Sequence, residues 1–506
     1  MDSMVTRFHA CRQPNGHARR QVIDMTRLTR RRFALGLGAA GVAAAASTVH
    51  ATTTRKSRPV GTDVLVLGAG ISGLNAAWLL EQQGARVVVL EGRRRVGGRV
   101  HTLFDLPGYP EMGFNSMGAG YGRGIDCARR TKLELVEVGA RFRLGKPQDL
   151  YLDGRRISRE QWATAPSNPF PEAWRSALPW EVVGRLVAKT SPLADYTAWL
   201  DPASRTLDVS LNQYLSAQGL SQEAIHLAND VSPAYGISSR DVSALMLEFT
   251  DGFTRAQLAA GPASWAIKGG NERLPQAMAA MLQGEVLLGK EIVAIESRAD
   301  FAQVQCADGS VHRAARIVCS LPFATLRRLR ITPALAGSQA RAVTTLPYQP
   351  LSMIYLTASE PFWESDGLAP GMWTDGIVGT VLPQRFGATP EEISGLTLQA
   401  RGQLALDWDR MGRERALAGV VAELEKLRPA AKGKLTAHRL FSWSREHFNG
   451  GDWAYFAPGQ LSDFVPTMAE PSGRIHFCGE HTARTARGLE GALESSERVV
   501  TEILTL

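Results

Sequence analysis

Val64-Leu65-Val66-Leu67-Gly68-Ala69-Gly70-Ile71-Ser72-Gly73 decides how the rest of the chain is read. Its first four residues are a continuous apolar run with β-branched members, the pattern of a strand buried on both faces. A GxGxxG follows at once. Leu74, Ala77, Trp78 and Leu80 then recur at helical spacing, which predicts a helix over 74–83 closed by Gly84. Residues 86–90 read as a second strand, with Glu91 at its end. A GxGxxG alone is a weak signal. With a strand before it, a helix after it and an acid at this distance, it becomes a dinucleotide-binding βαβ unit. Gly68 permits the tight turn, Gly70 lets the backbone approach a pyrophosphate, and Gly73 lets helix and strand pack closely. The amides of the helix start, at Ile71 and Ser72, face the phosphates with the positive end of the helix dipole. Glu91 is placed to accept hydrogen bonds from a ribose diol.

That much does not choose between dinucleotides. The next residues do: Gly92-Arg93-Arg94-Arg95-Val96-Gly97-Gly98-Arg99. A basic surface turn is the plain reading of such a stretch. At this position it resembles the second glycine motif of the flavin amine oxidase family. The resemblance implies FAD, with Gly92, Arg93, Gly97 and Gly98 close to the cofactor and Arg99 reaching its phosphates. Near the other end, Cys478-Gly479-Glu480-His481-Thr482 and Gly488-Leu489-Glu490-Gly491-Ala492 resemble the family's closing motif. There Glu480 is implied to hold the ribityl chain. Gly479, Gly488 and Leu489 lie at a helix start whose dipole points at the flavin.

A chain of 506 residues has room for two intertwined domains. The net charge is +8, but residues 1–51 hold eight arginines against Asp2 and Asp24. The remainder is nearly balanced, which gives no reason to expect nucleic-acid binding. Thr29-Arg30-Arg31-Arg32-Phe33 reads as a twin-arginine motif, Ala34 to Ala46 as a short apolar segment, and Val49-His50-Ala51 as a cleavage site. The expectation is a signal peptide over 1–51 and export of the folded protein to the periplasm by the twin-arginine translocase. Met25 is an alternative start. The apolar segment is too short to span a membrane comfortably. Five cysteines occur, at 11, 127, 306, 319 and 478, none in metal-ligand spacing, so no metal site is expected. Their spacing does not determine pairing.

The expected class is α/β: a Rossmann-like, doubly wound FAD-binding domain with an inserted α+β substrate domain. The FAD domain is assigned to 60–135, 265–335 and 441–506, and the substrate domain to 136–264 and 336–440. In the first insert, prolines at 166, 169, 171 and 179 among Trp162, Trp174, Trp180 and Trp199 mark short helices and loops. Residues 286–295 and 304–306 read as strands, Asp308-Gly309 as a hairpin, and 316–321 as a buried strand. The resemblance places Val293 against the adenine and the glycine-rich 106–123 beneath the flavin ring.

The resemblance also implies a chemistry. A hydride equivalent passes from the carbon bearing nitrogen to flavin N5, the imine hydrolyses, and oxygen reoxidises the flavin to give hydrogen peroxide. The candidate active-site residues are Trp453, Trp443 and Tyr455. Three departures from the family pattern stand out. Asp452 occupies the position of the flavin-linking cysteine, so the FAD is expected to be non-covalent. Gly488 occupies the position of the second cage aromatic, and Met353 that of a lysine tied to reoxidation. The last departure keeps an amine dehydrogenase with a periplasmic electron carrier open. An L-amino-acid oxidase is a second alternative, with Arg123 or Arg487 as carboxylate clamp, and a flavin-binding module with little turnover is a third. Oligomeric state is not legible.

Overall fold

The computed structural model describes residues 61–142, 144, 146–386 and 389–506. Residues 1–51, expected to be a leader with a twin-arginine motif and cleavage site, lie outside the described residues.

The opening unit comprises β1 (Thr62–Leu67), α1 (Ile71–Gln82) and β2 (Val87–Glu91), with β1 and β2 parallel. The apolar run of β1 has a simple cause. Val64 and Val66 join Leu74, Ala77 and Leu80 of α1 in one core, while Leu65 and Leu67 join Ile295, Val304 and Ile317 in another. Alternate side chains leave a strand on opposite faces, so burial on both faces demands apolar residues throughout. Each fully buried leucine contributes roughly 1.5–3 kcal/mol. Helix α1 begins at Ile71, inside the glycine motif, and ends where Gly84 takes φ 81°. On its outer side Asn75 donates to Ser496 Oγ at 2.8 Å in the C-terminal helix Gly488–Leu504.

The parallel core runs Val286–Leu288, β2, β1, Val311–Cys319 and Ile475–Phe477. Its strands come from far apart in the chain, so the nucleotide fold is assembled in several passes. Residues 286–295, expected as one strand, are two. Val286–Leu288 pairs with β2, whereas Ile292–Ser297 pairs with Ala302–Cys306 and Arg330–Thr332. Gly289, at φ 71°, interrupts the run and redirects the chain.

A second sheet has seven strands in the order Leu435–Ser442, Leu351–Ala358, Gly395–Arg401, Thr380–Gln384, Met372–Thr374, Asp149–Leu152 and Arg155–Ile157. Ile354 and Leu356 share a core with Trp408, Val420 and Leu424 of two helices. Leu351, Met353 and Tyr355, of the alternate parity, pack with Leu103, Met112 and Trp443. Residues 159–260 are mostly short helices around buried Trp162 and Trp199. Cys127, Cys306, Cys319 and Cys478 are free and buried. Among the described residues, no helix is long and apolar enough to cross a membrane.

A Cβ on Gly73 would lie 2.0 Å from the Gly68 carbonyl oxygen. Gly73→Ala therefore forces α1 away from β1. The expected cost is about 1–3 kcal/mol of stability, read by thermal unfolding. Gly61→Ala, where a side chain meets open space, is expected to stay within about 0.5 kcal/mol. Equal melts for the two variants would contradict the packing argument.

Candidate functional site

Four parallel strands end on one edge, and each delivers a piece of the site there. After β1 come Gly68 to Ser72, and β2 ends on Glu91. After Cys319 comes Ser320, whose hydroxyl donates to the Leu67 carbonyl at 2.7 Å. After Phe477 come Gly479 and Glu480. Ligands of open α/β sheets bind at the carboxyl ends of the strands, and here these residues line a cavity of about 470 Å³.

Of the residues expected at the cofactor, Gly68, Gly70, Ile71, Ser72, Glu91, Gly92, Arg93, Gly97, Gly98, Arg99, Val293, Gly479, Glu480, Gly488 and Leu489 line this cavity. Gly73 does not, because it is the contact between helix and strand. Trp453 lines it too, and its ring centroid is 5.9 Å from that of Tyr235. Trp443 and Tyr455 do not reach the cavity. Trp443 is fully buried and donates its Nε1–H to the Met112 carbonyl at 2.6 Å. Tyr455 donates its hydroxyl to Asp241 at 3.0 Å. Both are apolar bodies whose polar tips are already used, so they support the site from behind. Met353 is buried in the cluster with Trp443 and is likewise absent from the lining.

The glycine cradle fits a pyrophosphate. A Cβ on Gly70 would meet nothing within 4 Å, so the space above this backbone is free. The amide of Leu74 is bonded to the Gly70 carbonyl, which leaves the amides of the first turn for a ligand. Glu91 is buried and oriented: it accepts from the Ala69 amide at 2.9 Å and the Arg93 amide at 2.9 Å. A carboxylate has about four lone-pair positions, so acceptors remain for ribose hydroxyls. Around Glu91 stand the expected Arg93 and also Phe448, Asn449 and Lys290, which sequence reasoning missed. Arg93 lies 4.9 Å from the Phe448 ring centre and donates to Asn449 at 3.1 Å. Phe448 and Asn449 come from a distant turn and Lys290 from the stretch after Gly289, and neither stretch carries a motif.

Arg99 is directed differently from the expectation. Its guanidinium donates to the Asp452 carbonyl at 2.8 Å and to Glu480 Oε2 at 3.0 Å. Glu480 is nearly inaccessible, so it needs a countercharge more than the phosphates do. Its Oε1, 3.6 Å from Arg487, accepts no hydrogen bond. An unsatisfied buried acceptor lining the cavity suits a hydroxylated chain such as the ribityl of FAD. Burial pushes the Asp452 carboxyl up to about 7, against the pull of Arg99 and Arg401 and with the push of Glu480. Burial, with Arg99 and Arg498, holds the His481 imidazole down at about 3, so it stays neutral. Of the two arginines considered as clamps, Arg123 is excluded. It pairs with Glu490 at 3.3 Å and Glu497 at 2.8 Å, on the outer side of the helix Gly122–Arg130. Among the described residues, no group of three or more His, Cys, Asp or Glu could hold a metal.

Residues 71–504 match the family described as flavin containing amine oxidoreductase. The chain belongs to that family. It is 26% identical over 470 residues to human amine oxidase [flavin-containing] B, covering 87% of this chain and 86% of that protein. It is also 26% identical to a putative L-amino-acid oxidase of Bacillus subtilis, covering 87% and 94%. The fold matches cyclohexylamine oxidase from Brevibacterium oxydans at TM-score 0.71, with 22% identity and coverage of 88% and 99%. It matches a putrescine oxidase bound to putrescine at TM-score 0.70, with 23% identity and coverage of 88% and 100%. The protein is thus a flavin oxidoreductase of the amine-oxidising family, and its cofactor is FAD.

Glu91→Ala removes acceptors for the ribose and releases the Ala69 amide. A hydrogen bond to a charged group is worth roughly 1.5–3 kcal/mol, so FAD affinity is expected to fall about 10- to 100-fold. Flavin retained after a dilute wash measures this, and unchanged retention would remove Glu91 from the site.

Proposed function

We propose that this protein oxidises an amine to its imine with non-covalently held FAD, and that the imine then hydrolyses in water. The observation that carries the reading is a single cavity with two kinds of wall. One end is the glycine cradle beside Glu91; the other is bounded by Trp453, Tyr121 and Leu489. When bound, FAD supplies the two-electron acceptor for the hydride. The relatives named for amine and amino-acid oxidation support the reaction class.

The chain's own residues do the rest. Glu91, the first-turn amides of α1 and Glu480 would hold the cofactor. Trp453 and Tyr121 shape an aromatic wall that excludes water. A dry site disfavours an ammonium ion by desolvation, so the amine is held with its lone pair free. That lone pair forms the C=N bond as the C–H bond gives up its electron pair. Asp452, with no thiol, cannot make a thioether to the flavin, which supports the non-covalent assignment. Oxygen is the acceptor in the leading reading, giving hydrogen peroxide. Met353, apolar where the family resemblance places a lysine, favours a second reading in which an electron carrier reoxidises the flavin.

Export by the twin-arginine route to the periplasm belongs to the same proposal, on the strength of Arg30 and Arg31. Changing both to Lys should hold the precursor in the cytoplasm, checked by fractionation; normal export of the double variant would count against this route.

Anaerobic mixing with amines should bleach the flavin, and admitted oxygen should restore its colour at a rate that separates oxidase from dehydrogenase. Trp453→Ala should slow bleaching roughly 100-fold, the scale of lost positioning, with FAD still bound. No bleaching by any amine or amino acid would sink the proposal.

A further inference from the structure

Asp452 is an acid on the wall of the FAD cavity whose carboxyl has no donor to hold its charge. It is buried, at 6% relative exposure, yet it lines the cavity, as do its chain neighbour Trp453 and Glu480. Its backbone is fixed from both sides. The amide donates to the Gln349 carbonyl at 2.9 Å, and the carbonyl accepts from Arg99 at 2.8 Å. The side-chain oxygens accept no hydrogen bond among the described residues, because Arg99 turns its donors to that carbonyl and to Glu480 Oε2. A buried carboxyl without donors loses the main support of its ionised form.

Three charged groups from three elements act on it. Arg99, from the turn after β2, and Arg401, at the end of the strand Gly395–Arg401, favour the carboxylate; Glu480, from the turn after Phe477, opposes it. Glu480 also lies 3.6 Å from Arg487, and Tyr235 faces Arg401. Tyr348 packs against the chain at Gly451, and burial raises its phenol, so it stays neutral. His481, beside Glu480, is held down at about 3 and is neutral as well. Burial outweighs the two arginines and pushes the Asp452 carboxyl up to about 7. The cavity wall thus changes by one unit of charge near neutral pH, at this residue.

We propose that Asp452 sets the reduction potential of the bound FAD and makes that potential depend on pH. The reaction moves a hydride, two electrons and one proton, from the amine carbon to the cofactor, while the nitrogen lone pair closes the C=N bond. The cofactor gains negative charge. A carboxylate on the same wall opposes that gain and lowers the potential. A proton taken from solvent converts it to the neutral acid and removes the opposition. No oxidant or reductant beyond the amine and the cofactor enters. By linkage, Asp452 must bind its proton more tightly once the cofactor is reduced. The potential therefore falls with an added slope as pH rises through the Asp452 range, and follows the cofactor's own slope on either side. A lower potential favours passing the electrons on. The inference goes beyond the amine chemistry and needs only bound FAD.

The test measures the potential of the FAD-loaded protein by dithionite titration against reference dyes, across about pH 5.5 to 9. Wild type should show the added slope around neutrality. Asp452→Asn, which copies the shape of the neutral acid and carries no charge, should lose it. The two potentials should agree at the acid end and separate at the alkaline end, with wild type lower. Two unit charges about 10 Å apart, at an effective dielectric of about 20, shift an equilibrium roughly 10-fold. For a two-electron couple that is about 30 mV. Arg401→Gln removes a group that favours the carboxylate, so it should move the break to higher pH, which a packing role for Asp452 does not predict. If Asp452→Asn fails to hold FAD, the infrared difference spectrum of wild type decides: reduction near neutral pH should add a protonated carboxyl band. Parallel potentials for wild type and Asp452→Asn at every pH, a break that Arg401→Gln does not move, or no such band would each overturn the proposal. Dithionite reduces the flavin whether or not an amine does, so this result and the amine-oxidation reading stand or fall separately.

Discussion

The contact on which the site depends is the one between Gly68 and Gly73. The helix passes so close to the strand end that the Gly68 carbonyl fills the place of a Gly73 side chain. That approach aims the first-turn amides of α1 across the edge where the parallel strands end. Ser320 reinforces it from the neighbouring strand by donating to the Leu67 carbonyl. Everything else at the edge is positioned against this turn: Glu91 holds the Ala69 amide, and the Gly97 amide donates to the Ala69 carbonyl at 2.8 Å. A backbone cradle of this kind is cheap in side chains and intolerant of them.

Charge organises the other end. Arg99, Arg401 and Arg487 stand near two acids, Glu480 and Asp452, in a region where burial works against the charged forms of Arg99, Arg401 and Asp452. Burial works against the Arg99 cation, and Glu480, within hydrogen-bond distance, outweighs it. Arg401 has no carboxylate within 4 Å among the described residues, and burial lowers its affinity for the proton. Asp452, titrating near neutrality, absorbs part of this imbalance. The surplus is positive.

How far these features were legible followed from sequence distance. The βαβ unit and its glycines are contiguous, and local pattern dictates them: both faces of β1 are buried, so its run is unbroken. Helix Gly488–Leu504 was readable for the same reason. The break at Gly289 was not, because the apolar residues at 286–288 and 292–295 read as one run across Gly289-Lys290-Glu291, and it is the positive φ of Gly289 that turns the chain. Motif spacing brought Trp443 and Tyr455 to the neighbourhood of the cavity but not into it, since spacing says nothing of where an indole N–H or a phenol finds its partner. Arg401 and Tyr121 carry no local signal. Arg401 comes within electrostatic reach of Asp452 through its strand's pairing with Leu351, fifty residues earlier in the chain, and Tyr121 reaches the cavity through the packing of its helix on Glu490.

The central claim is that one cavity holds FAD with its phosphates on the α1 turn and its ring toward Trp453. The most direct measurement is a crystal structure of the FAD-loaded protein at a resolution that shows the pyrophosphate. The account predicts phosphate oxygens on the amides of residues 70–72, ribose hydroxyls on Glu91, and the flavin ring between Glu480 and Trp453 with no covalent bond to Asp452. A pyrophosphate away from the Gly68–Gly73 turn, or a flavin ring remote from Trp453, would contradict it.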